Sequence, residues 1–216
     1  MVSTVVEDYL KAIYKLQATT RPVPTSALAE RMGVTAPSVT SMIGRLSDLG
    51  FVHHDRYRGA ELTAIGERAA LEVIRHHRLW ELYLSEALRV PLDQVHQEAE
   101  RLEHDLSDEL EDRIDDALGH PSLDPHGDPI PTREGQVAEA DARALCDLAP
   151  GTEAVVTRVP DSDAALLRYL GELGLLPGQR VKVAELAPFG GTIFVETGGG
   201  RQALSEGLAR RILVSE

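Results

Sequence analysis

The sequence predicts a mainly α chain with a small β domain: a winged helix-turn-helix, a pair of long helices and a C-terminal β-barrel. Three observations carry this. Apolar residues recur at helical spacing as far as Leu118, prolines then crowd the stretch 120–132, and beyond it short apolar runs alternate with glycine-rich turns. With 216 residues, 43% of them hydrophobic, the chain can bury more than one core, which excludes a disordered protein.

Thr4 to Gln17 places Val6, Tyr9, Leu10, Ile13, Tyr14 and Leu16 on one side of a helix, with Glu7, Asp8, Lys11 and Lys15 mostly elsewhere. Thr25 or Ser26 caps a short helix that Gly33 stops after Met32. Thr35-Ala36-Pro37-Ser38 opens another, running to Leu49 with Pro37 in its first turn. Phe51–His54 and Ala60–Thr63, joined by a turn at 55–59, form a short hairpin, the wing. These elements make a domain over residues 1–63. Helices Ala64–Leu88 and Gln94–Leu118, with Pro91 between them, begin a second domain over 64–131. Pro121, Pro125, Pro129 and Pro131 keep its last part from regular structure, and it reads as a linker. A third domain, 146–216, holds strands at Val155–Val159, Arg180–Leu186, Thr192–Glu196 and Ile212–Val214, and a helix near Ala164–Leu173.

The formal charge is -13, and its distribution matters more than its sum. Residues 1–68 carry 8 Lys/Arg against 7 Asp/Glu, residues 69–140 carry 6 against 18, and residues 141–216 carry 8 against 10. The acid thus concentrates on the long helices, as a solvated face or a cation site. One cysteine, Cys146, excludes an intrachain disulfide and a thiolate zinc site and suits a reducing cytosol. No run reaches the ~18 apolar residues of a membrane span, and the first ten residues lack the regions of a signal peptide. The expectation is a soluble, cytoplasmic protein with no membrane partner.

In a helix-turn-helix the first turn of the second helix meets the base edges. Thr35, Pro37, Ser38, Thr40 and Ser41 line that end, while Arg45 further along and Arg56, Tyr57 and Arg58 at the wing tip are placed for phosphates. An ordinary helical hairpin with a polar outer face is the bland alternative; the wing argues against it. A domain so weakly basic needs a partner copy to multiply its phosphate contacts.

On the predicted helix from Gln94, the side chains of His96, Glu100, Glu103 and His104 point to about 0, 40, -20 and 80 degrees, one sector of the wheel. On the preceding helix His77 and Glu81 stand at i and i+4, a spacing that offers two ligands to one ion. Asp8 is a further carboxylate that folding could bring alongside. Surface ion pairs would explain these residues singly, and His76, His53, His54, His120 and His126 are read as surface or capping residues. Oxygen and imidazole donors without thiolate suit Mn²⁺ or Fe²⁺, although Zn²⁺, Co²⁺ and Ni²⁺ would bind at least as tightly in vitro.

The arrangement resembles the metal-dependent repressors of the diphtheria toxin repressor and manganese transport regulator family. The resemblance rests on Glu7-Asp8-Tyr9-Leu10-Lys11-Ala12-Ile13-Tyr14, Val34-Thr35-Ala36-Pro37-Ser38-Val39-Thr40, Tyr57-Arg58-Gly59, Arg75-His76-His77-Arg78-Leu79, Glu103-His104-Asp105-Leu106-Ser107-Asp108-Glu109 and Gly127-Asp128-Pro129-Ile130-Pro131. It implies a regulatory site from Asp8, Glu100, Glu103 and His104, and a second from His77, Glu81 and His96. Where the iron-sensing branch carries Met and Cys this chain has Asp8 and Glu100, which shifts the preference to the harder Mn²⁺. Lys11 stands where the short manganese regulators carry an acidic ligand. The C-terminal segment resembles the SH3-like (FeoA-like) domain of longer members, which lends ligands to the second site; Asp161 and Asp163 are the candidates, although Asp before a helix commonly caps it.

The expected function is a manganese-dependent repressor of metal-ion homeostasis genes and not an enzyme. It would be a homodimer through helices 64–88 and 94–118, bound to double-stranded palindromic operator DNA. Metal bridging of the DNA-binding and dimerisation domains would switch on operator binding. The rivals are an iron-dependent repressor of the same family, a metal-dependent hydrolase, for which no positioned base is evident, and a metal-free winged-helix adaptor.

Overall fold

The computed structural model describes residues 3–55, 58–138 and 141–216. The chain divides into two compact units, one of residues 1–76, 103–106 and 131–136, the other of 77–102, 107–130 and 137–216.

In the first unit α1 (Thr4–Gln17), α2 (Thr25–Met32) and α3 (Ala36–Asp48) surround Leu10, Ile13, Leu28, Val39, Ile43 and Leu46, all fully buried. Removing such side chains from water is the main gain that offsets ordering the helices. Gly33 ends α2 in the left-handed conformation, and the Thr35 hydroxyl caps α3 by accepting from the Ser38 amide. β1 (Val52–Asp55) and β2 (Gly59–Leu62) form the wing, with Val52 opposite Leu62 and Asp55 opposite Gly59. Val23 exchanges backbone hydrogen bonds with Ala60 and so comes close to the wing. A Cβ on Gly59 would lie 2.1 Å from the Val23 oxygen, at φ +119, so only glycine fits.

α4 (Ala64–Glu86) continues across the division between the units. The helix expected over 94–118 is broken. α5 (Leu92–Leu102) gives way to a 3-10 turn at Glu103–Asp105, and α6 (Asp108–Ala117) starts anew. Ser107 caps α6 through Leu110 N, and Asp108, Glu109 and Glu111 in its first turn complement the helix dipole, so a restart costs little. Glu103 and His104 therefore do not share a helix face with His96 and Glu100.

In the second unit a six-stranded antiparallel sheet has the order β3 (Arg143–Ala144), β8 (Leu213–Ser215), β4 (Glu153–Arg158), β5 (Arg180–Leu186), β6 (Thr192–Thr197), β7 (Gly200–Ser205). Its core is built on Leu145, Leu170, Leu175, Val183, Val195, Leu204 and Ile212. β3 begins the sheet at Arg143, before the expected start at Cys146. β7 was not predicted because only Leu204 among its residues is buried. α7 (Ala164–Leu173) is held to α5 by Arg168 Nη1, 2.7 Å from Asp93 Oδ2; the short α8 (Glu206–Ala209) precedes β8.

The proline-rich stretch is a packed loop and not a spacer. Asp124 Oδ1 accepts from the amides of His126 and Asp128, at 2.8 and 2.9 Å, and Arg78 binds the Pro129 carbonyl and faces Asp124 and Asp128. The His126 carbonyl accepts from Val159 N, 3.0 Å away, which docks the loop beside β4. Gly127 permits that approach, since a Cβ there would lie 1.8 Å from Thr157 O at φ +90. Among the described residues no helix is long and apolar enough to cross a membrane.

Candidate metal centres

Within the first unit α1 and the 3-10 turn bring together Asp8, Glu103 and His104, whose ligand atoms lie within 4.8 Å of one another. His104 Nε2 is 3.0 Å from Asp8 Oδ1 and 3.5 Å from Glu103 Oε1. The other ring nitrogen, Nδ1, is 2.6 Å from Glu7 Oε2. Glu7 thereby orients the ring and leaves Nε2 toward the two carboxylates, the usual role of a carboxylate behind a metal-binding histidine. Sequence reasoning quoted Glu7 but gave it no role; its position next to Asp8 was the available signal. His76, read as a surface residue, is buried, and its Nδ1 donates to the Glu103 carbonyl at 3.2 Å, fixing the turn that carries the ligands. Glu100 falls in the second unit, where Oε1 is 3.8 Å from His96 Nε2.

The second cluster lies wholly in the second unit. His77 Nε2, Glu81 Oε1 and His96 Nδ1 form a triangle with three sides of 3.0 Å. An octahedral face at a metal–ligand distance of ~2.1 Å has edges of about 3.0 Å, whereas tetrahedral Zn²⁺ sets its ligands at about 3.3 Å. Hydrogen bonding alone accounts for such spacing too, so the deciding observation is what lies behind it. Glu81 Oε2 and His126 Nδ1 are buried with no hydrogen bond shorter than 3.5 Å among the described residues; they face each other as an ion pair at 3.6 Å, with Asp124 in the same group. Buried polar atoms are normally satisfied, and a cation between them would satisfy both.

Electrostatics agree with a cation site. Burial alone would raise the Glu81 carboxyl, but His126, His77 and His96 outweigh it and hold it well below the usual range. Burial, then the charges of Glu81 and Asp128, push Asp124 up to about 7. Burial lowers His126, yet Glu81, Asp124 and Asp161 turn the net shift upward. Asp161 thus acts on this cluster from the segment after β4. Asp163 does not join it: its carboxylate accepts from Leu166 N at 3.0 Å and caps α7. His126, expected at the surface, is fully buried, and with Asp124 it is a missed member of the group. The signal was there in Asp124-Pro125-His126-Gly127, two donors in a proline- and glycine-constrained turn.

Thr35, Pro37, Ser38, Thr40, Ser41 and Arg45 are all exposed at or along α3, and Arg58 is exposed at the wing. Thr40 bonds back to the Ala36 carbonyl at 3.0 Å, and Thr35 is engaged as cap. Arg56 and Tyr57 lie outside the described residues.

A winged helix-turn-helix joined to nitrogen- and oxygen-lined ion clusters defines a metal-responsive DNA-binding regulator. Comparison with known proteins agrees. Residues 1–60 match the iron dependent repressor N-terminal DNA binding domain, residues 63–132 the iron dependent repressor metal binding and dimerisation domain, and residues 143–216 the FeoA domain. The chain is 31% identical to the iron-dependent repressor IdeR of Mycobacterium leprae (strain TN), over 97% of this chain and 96% of that one. Among solved structures, a manganese-dependent transcriptional repressor in complex with manganese superposes with TM-score 0.88 at 40% identity, covering 98% and 99% of the two chains. ScaR with bound Zn²⁺ superposes with TM-score 0.83 at 30% identity, covering 98% and 99%. The chain belongs to the family of metal-dependent transcriptional repressors that includes the diphtheria toxin repressor. That family comprises DNA-binding regulators and not enzymes, which disposes of the hydrolase reading.

Proposed function

We propose that this chain is a homodimeric, cytoplasmic repressor that binds a palindromic operator when Mn²⁺ occupies the cluster of Asp8, Glu103 and His104. The donor set carries the reading. Both clusters offer carboxylate and imidazole only, while the one thiol, Cys146, donates to Asp147 Oδ1 at 3.5 Å. Such hard donors suit Mn²⁺, and the similarity to a manganese-bound repressor supports it. Similarity to iron-dependent repressors keeps Fe²⁺ as the alternative effector.

When bound, the ion would supply positive charge between carboxylates that otherwise repel. Asp8 belongs to α1, which shares a core with α3 through Leu10, Ile13, Val39 and Ile43. Tying Asp8 to Glu103 and His104 therefore fixes α1, and through that core the exposed face of α3 from Thr35 to Arg45. Glu7 holds the His104 ring. Glu100 remains a proposed fourth donor on its sequence position. His77, Glu81 and His96, with Asp124, His126 and Asp161, would hold a second ion that ties the 120–130 loop and the C-terminal sheet to α4 and α5. Coupling of ~1–3 kcal/mol between ion and DNA is typical, and the DNA must tighten ion binding by the same factor.

The test is an anaerobic titration of operator binding at buffered free Mn²⁺ or Fe²⁺, on duplexes selected from random sequence by the Mn²⁺-loaded protein. Mn²⁺ should act at the lower free concentration, and Glu103→Ala should abolish the stimulation. Activation by Fe²⁺ at lower concentration would make iron the effector; binding indifferent to EDTA would end the metal-dependent reading.

A further inference from the structure

The first cluster contains a cation of its own. Lys11 Nζ lies 2.6 and 2.8 Å from the two oxygens of Glu103, and its side chain is only 9% exposed against 1% for Glu103. The same Glu103 Oε1 is 3.5 Å from His104 Nε2, so ammonium and ion site share one carboxylate. Lys11 also stands one helical turn from Asp8 on α1, at the i, i+3 spacing of neighbours on a helix surface. We propose that Lys11 is a tethered counter-cation that holds Glu103 in the metal-free protein and sets the free-ion concentration at which the site fills. The inference rests on the reading of Asp8, Glu103 and His104 as a divalent-ion site.

The physical argument runs through charge and burial. A carboxylate as deeply buried as Glu103 needs a partner, and the ammonium satisfies both of its oxygens. A divalent ion that takes Glu103 must displace Nζ or share the carboxylate with it, and like charges repel in either case. The covalent stem keeps Nζ at high effective concentration, so it competes however dilute the protein. This repulsion acts on charge and not on ligand preference. It weakens Mn²⁺ and Mg²⁺ by a similar factor, and it leaves imidazole bonding to His104 to separate them. A site without the lysine would fill at ion levels set by carboxylate attraction alone, where an abundant hard ion such as Mg²⁺ competes.

The test is calorimetric titration of the full chain with MnCl₂ and separately with MgCl₂. The Mn²⁺ event lost in His104→Ala identifies the Glu103 cluster. In Lys11→Gln that event should tighten at least tenfold, Mg²⁺ affinity should rise by a similar factor, and the metal-free melting temperature should fall. Lys11→Met, whose unbranched chain fills the same buried volume, should behave likewise if the glutamine variant does not fold. Lys11→Arg keeps the charge and should stay within threefold of wild type. Unchanged or weaker Mn²⁺ binding in the neutral variants would overturn the proposal and leave Lys11 a structural pair. So would an arginine variant that tightens as they do. If every Mn²⁺ event of the wild type survives His104→Ala, the ion-site reading itself has failed, a result distinct from failure of the lysine.

Discussion

His126→Leu separates a metal ligand from a packing residue. The substitution keeps an apolar side chain of similar size in a fully buried position, so no large cavity opens. It removes the contact of Nε2 with the Leu92 carbonyl, 3.3 Å away, and the imidazole 3.6 Å from Glu81 Oε2. Losing this part-buried hydrogen bond, to a carbonyl that also heads α5, costs ~0.5–1.5 kcal/mol. Glu81 keeps His77 and His96 at 3.0 Å, so it adds little to the loss. A metal-free destabilisation of about 1 kcal/mol corresponds to roughly 2–4 °C in melting temperature for a chain of this size. The effect on the ion is larger in kind. At a hundred times the dissociation constant Mn²⁺ stabilises by ~2.7 kcal/mol, and a variant that binds a hundredfold more weakly would keep about 0.4 kcal/mol of it. Thermal unfolding with EDTA and with Mn²⁺ measures both quantities on one sample. Mn²⁺ should raise the melting temperature of wild type by several degrees more than that of His126→Leu. Equal Mn²⁺-induced shifts would show that His126 only packs and would remove the orphaned pair as an argument for an ion.

Gly127→Ala should displace the 120–130 loop from β4, because its Cβ would lie 1.8 Å from the Thr157 oxygen at φ +90. A loss of at least ~2 kcal/mol is expected from the clash and the backbone conformation together; wild-type stability by denaturant titration would contradict the packed-loop description. Asp124, raised to about 7, binds its proton more tightly in the folded than in the unfolded chain. Its contribution to metal-free stability is therefore complete below the ordinary carboxylate range and is lost as pH rises through 7. The melting temperature of wild type minus that of Asp124→Asn should fall between pH 5 and 8, and a flat difference would refute the shift. Arg45→Ala, on the exposed face of α3, should weaken DNA binding and reduce the salt slope by about one. Fluorescence anisotropy over a salt series reads both; an unchanged slope would remove Arg45 from the phosphate contacts.

The helices and wing of the first unit were legible in sequence because they are local. Periodicity, the Thr35 cap, the Gly33 stop and the glycine of the wing act over a few residues, and α1, α2 and α3 lie where those signals put them. His77 and Glu81 were legible for the same reason, being one turn apart on a helix. What the sequence could not decide was which distant groups meet. The break at Glu103–Asp105 undid the helical wheel, because a cap at Ser107 and the acids behind it favour starting a new helix there. Glu7 behind His104, Lys11 on Glu103, and Asp124 and His126 beside Glu81 depend on contacts between residues more than 40 apart, or on a loop whose docking is set by Gly127 against Thr157. Local propensity fixes an element's kind and ends. Burial of charge is settled only when elements pack, since only then does a carboxylate lose water and require a particular cation in its place.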